Sequence, residues 1–466
     1  MSTEQSTVIT RRKFLKAAAA AGGAAALSAV VAACGGSPTA APTAAPAATA
    51  APAATTAAVV PTKAPVVLKG ANVTYLGGPW SFLPELDTVI DAFANDWAKQ
   101  NNVTLNLVRE GTNLLAKIQT AIETSSGANI IQYSSPVASF AKSLVDVSEV
   151  YQFINDQGGG FIPSASNAVK NGGKALGVPL GQNSWMMNYR QDWFSAVGVD
   201  KFPDTYDDLL AVGTKLKAAG HPIGMTFSDK AAGDGNATPR MILWAFGGKE
   251  FNPDGSLALD SKETIAALEF AIKLHNAAGD PAEVAYVDGD NNASFLAGKI
   301  SMTPNVNTIY LPALKSAPDI AKAMNTAIPP KGPGGRFTGT QINWWGILNN
   351  TKGIDLDASK DLIKQFFSIK NLDAFFKAGQ GYIIPMLPGY ANEPIWSSDP
   401  KLATVKDVFT LSLPPGYNLS EQTKLSGLMI DKVIMGKLFS QACSTGNARA
   451  ALDGVLKDIN DLKLIS

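Results

Sequence analysis

The 466-residue chain contains only two cysteines and two histidines. Two cysteines cannot build a disulfide framework, and Cys443, set among Leu438, Phe439 and Ala442, has the surroundings of a small buried residue rather than of a reactive thiol. His221 and His275 lie far apart without metal-ligand spacing. Excess charge of one sign is also missing: 39 Lys and Arg stand against 39 Asp and Glu, which gives no basic surface for nucleic acid. There is no Walker A sequence, no Gly-x-Ser-x-Gly elbow and no His-Glu-x-x-His, so neither an ATP site nor a common hydrolase signature is in view. Asp288-Gly289-Asp290-Asn291-Asn292 begins like a calcium loop, but Ala293 and Lys299 stand where Gly and Glu are needed, so a solvated loop is expected. No cofactor is expected. A secreted glycoside hydrolase stays as the rival enzyme reading, because its two carboxylates would be paired in space rather than in sequence.

What is present begins with an address. Thr10-Arg11-Arg12-Lys13-Phe14-Leu15-Lys16, followed by alanine-rich residues 17–33, resembles a twin-arginine export signal. Its apolar part is shorter than the roughly 20 residues a bilayer span needs. Val31-Ala32-Ala33-Cys34 resembles a lipobox. That resemblance implies cleavage of residues 1–33, lipidation of Cys34, and an exported chain anchored on the outer face of the cytoplasmic membrane. Removal of residues 1–33 takes away four basic groups and one acidic group, leaving 35 against 38. Residues 34–66 are dominated by Ala, Pro and Thr. Such a composition cannot offset its ordering entropy and reads as a flexible tether.

From Val67 the pattern changes to alternating strands and helices. Val73–Leu76, Val103–Val108 and Ile130–Tyr133 read as strands, with helices through Leu86–Trp97 and Leu114–Glu123 between them. This alternation predicts a mostly parallel sheet, with ligands beyond the carboxyl ends of the strands. The stretch from Gly173 to Leu210 organises the rest. Val178-Pro179-Leu180 is an apolar run broken by the polar Gly181-Gln182-Asn183-Ser184, and Trp185-Met186-Met187 resumes extended character. Gln191–Gly198 reads as a short helix, and Thr205 as the cap of an amphipathic helix ending at Gly220.

Gly173-Lys174, Gly177-Val178-Pro179, Tyr189-Arg190-Gln191 and Pro203-Asp204-Thr205-Tyr206-Asp207-Asp208-Leu209 together resemble the signature of the extracellular solute-binding proteins of ABC importers, in the sugar-binding group of maltose-binding protein. Phe295-Leu296-Ala297-Gly298-Lys299-Ile300-Ser301-Met302 resembles a later motif of that group. The resemblance implies a periplasmic-binding-protein type II-like fold: two α/β lobes joined by a three-segment hinge with the ligand cleft between them. The lobes are expected at 67–181 plus 329–369 and 182–328 plus 370–466, with the return crossing at 327–335 and a third crossing at 368–372. It further implies a monomer that captures a sugar by lobe closure and hands it to a membrane permease with a separate ATPase.

Neutral sugars are matched by aromatic faces and by side chains that both donate and accept hydrogen bonds. The loop candidates are Trp80, Tyr133, Ser135, Gln182, Asn183, Trp185, Asn305, Asn307, Tyr310, Trp344, Trp345 and Trp396. By motif register, Asn183 and Tyr133 stand where maltose-binding protein uses a carboxylate and a tryptophan, while Thr308 stands where it has an aromatic. Trp80 reads equally as a plug of the lobe edge, and Trp244 as core. Strand alternation sends Trp344 and Trp345 to opposite faces. A polyamine, a peptide or a phosphorylated polyol is the alternative solute, with Arg190 and Arg240 available for an anion.

Overall fold

The computed structural model describes residues 67–111, 113–390 and 399–463. The export signal, Cys34, the tether and Trp396 lie outside the described residues.

The first lobe begins with β1 (Asn72–Gly77), α1 (Glu85–Asn101), β2 (Thr104–Arg109), α2 (Leu114–Thr124) and β3 (Ile130–Tyr133). β1 pairs in parallel with both β2 and β3, as βαβ units require. α1 carries Glu85 and Asp87 in its first turn, favourable against the helix dipole, and buries Leu86, Ile90, Ala94 and Trp97 on one face. A 3₁₀ turn (Val137–Ser143), α3 (Ser148–Gln157), α4 (Pro163–Val169) and the small hairpin β4 (Lys170–Asn171) and β5 (Lys174–Ala175) lead into β6 (Val178–Ser184).

β6 is the first crossing strand and is buried throughout. It runs directly into the second lobe as β7 (Met186–Arg190), α5 (Gln191–Ala196), α6 (Tyr206–Ala218), α7 (Asp234–Ala245), α8 (Lys262–Ala278), α9 (Asp290–Leu296), β8 (Met302–Asn305), α10 (Tyr310–Ser316), α11 (Pro318–Ala323) and β9 (Met324–Ala327). β7 lies between β8 and β9, antiparallel to both. Thr205 caps α6 as its sequence predicts, accepting from the Asp208 amide at 3.0 Å. α7 is buried along its whole length, and Trp244 lies in the core of this lobe.

The return strand β10 (Thr338–Ile347) is followed by α12 (Gly353–Phe366), α13 (Ile369–Gly379), α14 (Pro400–Leu411), β11 (Ser412–Leu413), α15 (Lys424–Asp431), α16 (Ile434–Thr445) and α17 (Ala448–Lys463). β10 is antiparallel to β3 and to β6, with a bulge between Asn343 and Trp344. Gly181 permits a close approach here: a Cβ on it would fall 2.6 Å from Ile383. The Ile384 backbone thereby exchanges hydrogen bonds with Gln182 at 2.7 and 2.9 Å.

Two expected crossings are displaced. Residues 329–335 stay with the second lobe, where Lys331 pairs with Asp204 at 2.7 Å and the Gly334 amide donates to the Ala245 carbonyl at 2.6 Å. The return occurs at the start of β10, where the Thr338 and Thr340 hydroxyls donate to the Trp185 and Asn183 carbonyls at 2.5 and 2.7 Å. Nor does the chain leave the first lobe at 368–372. The apolar face of α13 packs on α1, and Leu372, Phe375, Phe376, Ile383 and Tyr390 join the cluster around β1 and α1.

Candidate functional site

Between the lobes lies a cavity of about 340 Å³, within the usual size of small-molecule sites. The first lobe and β10 supply Pro79, Phe82, Gly111 and Gln341, and β6 and its exit supply Asn183 and Trp185. The second lobe supplies the start of α7 (Gly233, Asp234), the loop before α9 (Asp288, Gly289), and Asn292, Asn305 and Thr308; Tyr382 completes the wall. Phe82 is 39% exposed and lies against Gly289 of the opposite lobe.

The floor is a polar network. The Asn305 amide donates to Asn292 Oδ1 at 2.6 Å, while its own carbonyl accepts from Thr308 Oγ1 at 2.8 Å. Asn183 donates to the Tyr382 carbonyl at 2.7 Å and accepts from the Asn343 amide at 2.8 Å. Asp234 accepts from Trp185 Nε1 at 2.6 Å and from Asn291 Nδ2 at 2.8 Å. Asp288 turns its carboxylate to the Gly233 and Asp234 amides at 3.2 to 3.4 Å, so it closes the N-terminus of α7 from another loop.

Burial, and secondarily the Asp288 charge, pushes the Asp234 carboxyl up to about 7. Burial also raises Asp288, against the opposing pull of the backbone amides. Burial raises the Tyr382 hydroxyl, and Asp234, Asp288 and Asp87 add to that. Among the described residues, no Lys or Arg lines this cavity.

The sequence that folds into these two lobes is matched by a family model. The model, described as bacterial extracellular solute-binding protein, aligns with residues 89–404, more than half of the chain. The chain belongs to the bacterial extracellular solute-binding proteins.

Solved structures of similar shape include maltose-bound MalE3 of T. maritima, at TM-score 0.71 and 20% identity, covering 84% of this chain and 100% of that one. Another is a sugar transporter protein of Arthrobacter chlorophenolicus with bound laminaribiose, at TM-score 0.72 and 18% identity, with 84% and 99% covered. A Deinococcus radiodurans protein named "Probable ABC transporter-binding protein" is 22% identical over 297 residues, 62% of this chain and 70% of that one.

Within this solute-binding protein the sequence candidates fall into three groups. Asn183, Trp185 and Asn305 line the cavity, although Trp185 is only 4% exposed and offers it little ring face. A second group is bound elsewhere or sealed from the cavity. Trp80 packs edge-on against Phe375 and Tyr382, as a plug of the lobe edge. The Gln182 amide donates to Ser184 Oγ at 3.1 Å. Asn307 is fully buried and donates weakly, at 3.5 Å, to the Gln380 carbonyl. The Tyr310 hydroxyl donates to Asp399.

Trp344 and Trp345 also belong to this second group. Alternation does send them to opposite faces, but both faces of the sheet are covered. Trp344 packs near Phe140 and donates to the Ser135 carbonyl at 2.7 Å, whereas Trp345 stacks on Phe366 with ring planes 4° apart.

Tyr133 and Ser135 form the third group, a contact between lobes. Their hydroxyls donate to Asp431 at the end of α15, at 3.1 and 2.5 Å. Beside them a Cβ on Gly427 would overlap the Ser139 side chain, so only glycine lets α15 approach this closely. Burial raises the Asp431 carboxyl, and the two hydroxyl donors partly offset this.

Sequence reasoning missed Asp234, Asp288, Phe82 and Tyr382. Asp288 was expected in a solvated loop. The one signal for it was its position just before α9, where a short acidic loop could reach a neighbouring helix terminus. The two arginines offered for an anion are engaged elsewhere. Arg190 pairs with Asp192 at 2.6 Å and covers Trp193. Arg240 is buried with Glu250 at 2.8 Å.

Proposed function

We propose that this chain is the capture component of an ABC importer for a neutral carbohydrate, bound between the lobes and passed to a permease with its own ATPase. The observation that carries this reading is the composition of the interlobe cavity. The exposed Phe82 and the half-buried Tyr382 line it beside the amides and acidic groups of Asn183, Asn292, Asn305, Asp234 and Asp288. Hydroxyl groups donate to carboxylates and exchange with amides, while C–H faces lie on rings. The sugars bound by MalE3 of T. maritima and by the Arthrobacter protein support the same class.

A solute touching both walls favours the closed arrangement by its extra contacts there. The Tyr133, Ser135 and Asp431 contact adds protein-to-protein bonds to that arrangement. A lipid on Cys34 and the Ala/Pro/Thr tether would hold this capture step at the outer face of the membrane. The chain acts by binding, and specificity rather than chemistry is its contribution.

The test is the shift in melting temperature with mono- and disaccharides, polyols, sugar phosphates, polyamines and peptides, since a ligand of the native state alone must raise it. A selective carbohydrate hit supports the reading. A response confined to peptides or polyamines contradicts it.

A further inference from the structure

We infer that Asp288 sets the charge selectivity of the cleft: it fills the N-terminus of α7 with the protein's own carboxylate, so that an uncharged or cationic solute is admitted and phosphorylated or carboxylated sugars are turned away. This rests on the carbohydrate reading and narrows it.

A helix N-terminus opening on a cavity is the place where an anionic ligand group would seat, because its first amides lack partners and carry the positive end of the dipole. α7 is twelve residues long and buried; its Gly235, Asn236 and Ala237 amides are bonded to the Ala231 and Gly233 carbonyls at 2.9 to 3.2 Å, which leaves the Gly233 and Asp234 amides at the cavity. Here Asp288 already accepts from Gly233 and Asp234 at 3.2 to 3.4 Å. Its side chain comes from a loop 55 residues further along the chain, and it lines the cavity itself. Asp234, the first residue of the helix, adds a second acidic group, held by Trp185 and Asn291. An entering anion therefore meets two acidic groups, no free amide at Gly233 or Asp234 and, among the described residues, no lining Lys or Arg. A hydroxyl or an ammonium meets acceptors.

The experiment titrates the purified protein and its Asp288→Asn variant with inorganic phosphate, and with glucose, glucosamine, glucuronate and glucose 6-phosphate, at fixed ionic strength. For the wild type we expect no phosphate binding and at least a 100-fold preference for any neutral or amino sugar that binds over its anionic counterpart. In Asp288→Asn we expect phosphate affinity to rise at least tenfold and the preference to fall at least tenfold. Asp234→Asn, should Asp288→Asn fail to fold, is expected to move both quantities in the same direction by a smaller factor.

Equal wild-type binding of glucose and glucose 6-phosphate overturns the inference and leaves the carbohydrate reading standing. A folded Asp288→Asn with no gain in phosphate affinity overturns the role of Asp288. Binding of spermidine but of no sugar supports the charge selectivity and overturns the carbohydrate reading.

Discussion

The two walls of the cleft differ in their share of apolar and hydrogen-bonding groups. The first lobe owns most of the tryptophan candidates, yet it turns Trp80, Trp344 and Trp345 inward to hold its own sheet and edge, and offers the cavity Phe82 and Pro79. The second lobe offers Asp234, Asp288, Asn292, Asn305 and Thr308. Most hydrogen-bonding groups thus come from the second lobe, with Asn183 and Gln341 added from the paired strands β6 and β10, so aromatic residues alone are a poor guide to where the solute lies.

The largest effect should mark the difference between core and cleft. Trp345→Ala removes a ring stacked on Phe366 and packed against Tyr75 and Phe367, and should cost about 3–5 kcal/mol of stability in urea titration. The affinity of the protein that remains folded should be unchanged. Trp185→Ala should lower both stability and affinity, since its ring is itself 4% exposed within the second-lobe core. It withdraws the 2.6 Å donor from Asp234 and should weaken solute binding by about 2–3 kcal/mol, read by calorimetric titration.

A third comparison sets pH against stability. Asp234 and Glu283 are both raised by burial to about 7. The native state therefore holds protons that the unfolded chain has already released above about pH 4, and stability must decline as pH rises from about 4 to about 7. The decline should be on the order of 1 kcal/mol or more per group, and Asp234→Asn should flatten it in melting curves across that range. The charges facing Asp234 are Asp288 directly and, around Tyr382, the Asp87 carboxylate that pairs with Arg109 at 2.9 Å. The Glu283 contribution involves His275 at 2.8 Å.

The smallest effect belongs to the contact between lobes. Asp431→Asn weakens two hydroxyl bonds without touching the cavity, and should loosen binding by about 1 kcal/mol. Small-angle scattering should show a more open average shape at equal solute occupancy.

Much of the fold was legible because its signals are local. The alternation of strands and helices from β1 to β3 and the Thr205 cap each lie within a few residues, and the structure places them as expected; the polar Gly181–Ser184 does not break the strand, because pairing with β10 satisfies its backbone and β6 runs through it fully buried, with the interruption at Trp185. The crossings were less legible. The Pro/Gly stretch 329–335 looks like a hinge, but it is a second-lobe loop fixed by Asp204 and Ala245.

The candidate site was legible along β6 and at Asn305, where the strand register fixes position. It was illegible at Asp234 and Asp288, whose partnership joins a helix start to a loop more than 50 residues away. Nothing local marks Trp344 and Trp345 as core either, since alternation assigns a face but not whether that face is covered.

The most direct test of the account is calorimetric titration of the wild type and Trp185→Ala with a panel of neutral mono- and disaccharides. The account predicts one or a few sugars that bind the wild type and bind Trp185→Ala at least 30-fold more weakly. Equal affinity in the two proteins, or binding confined to peptides, would contradict it.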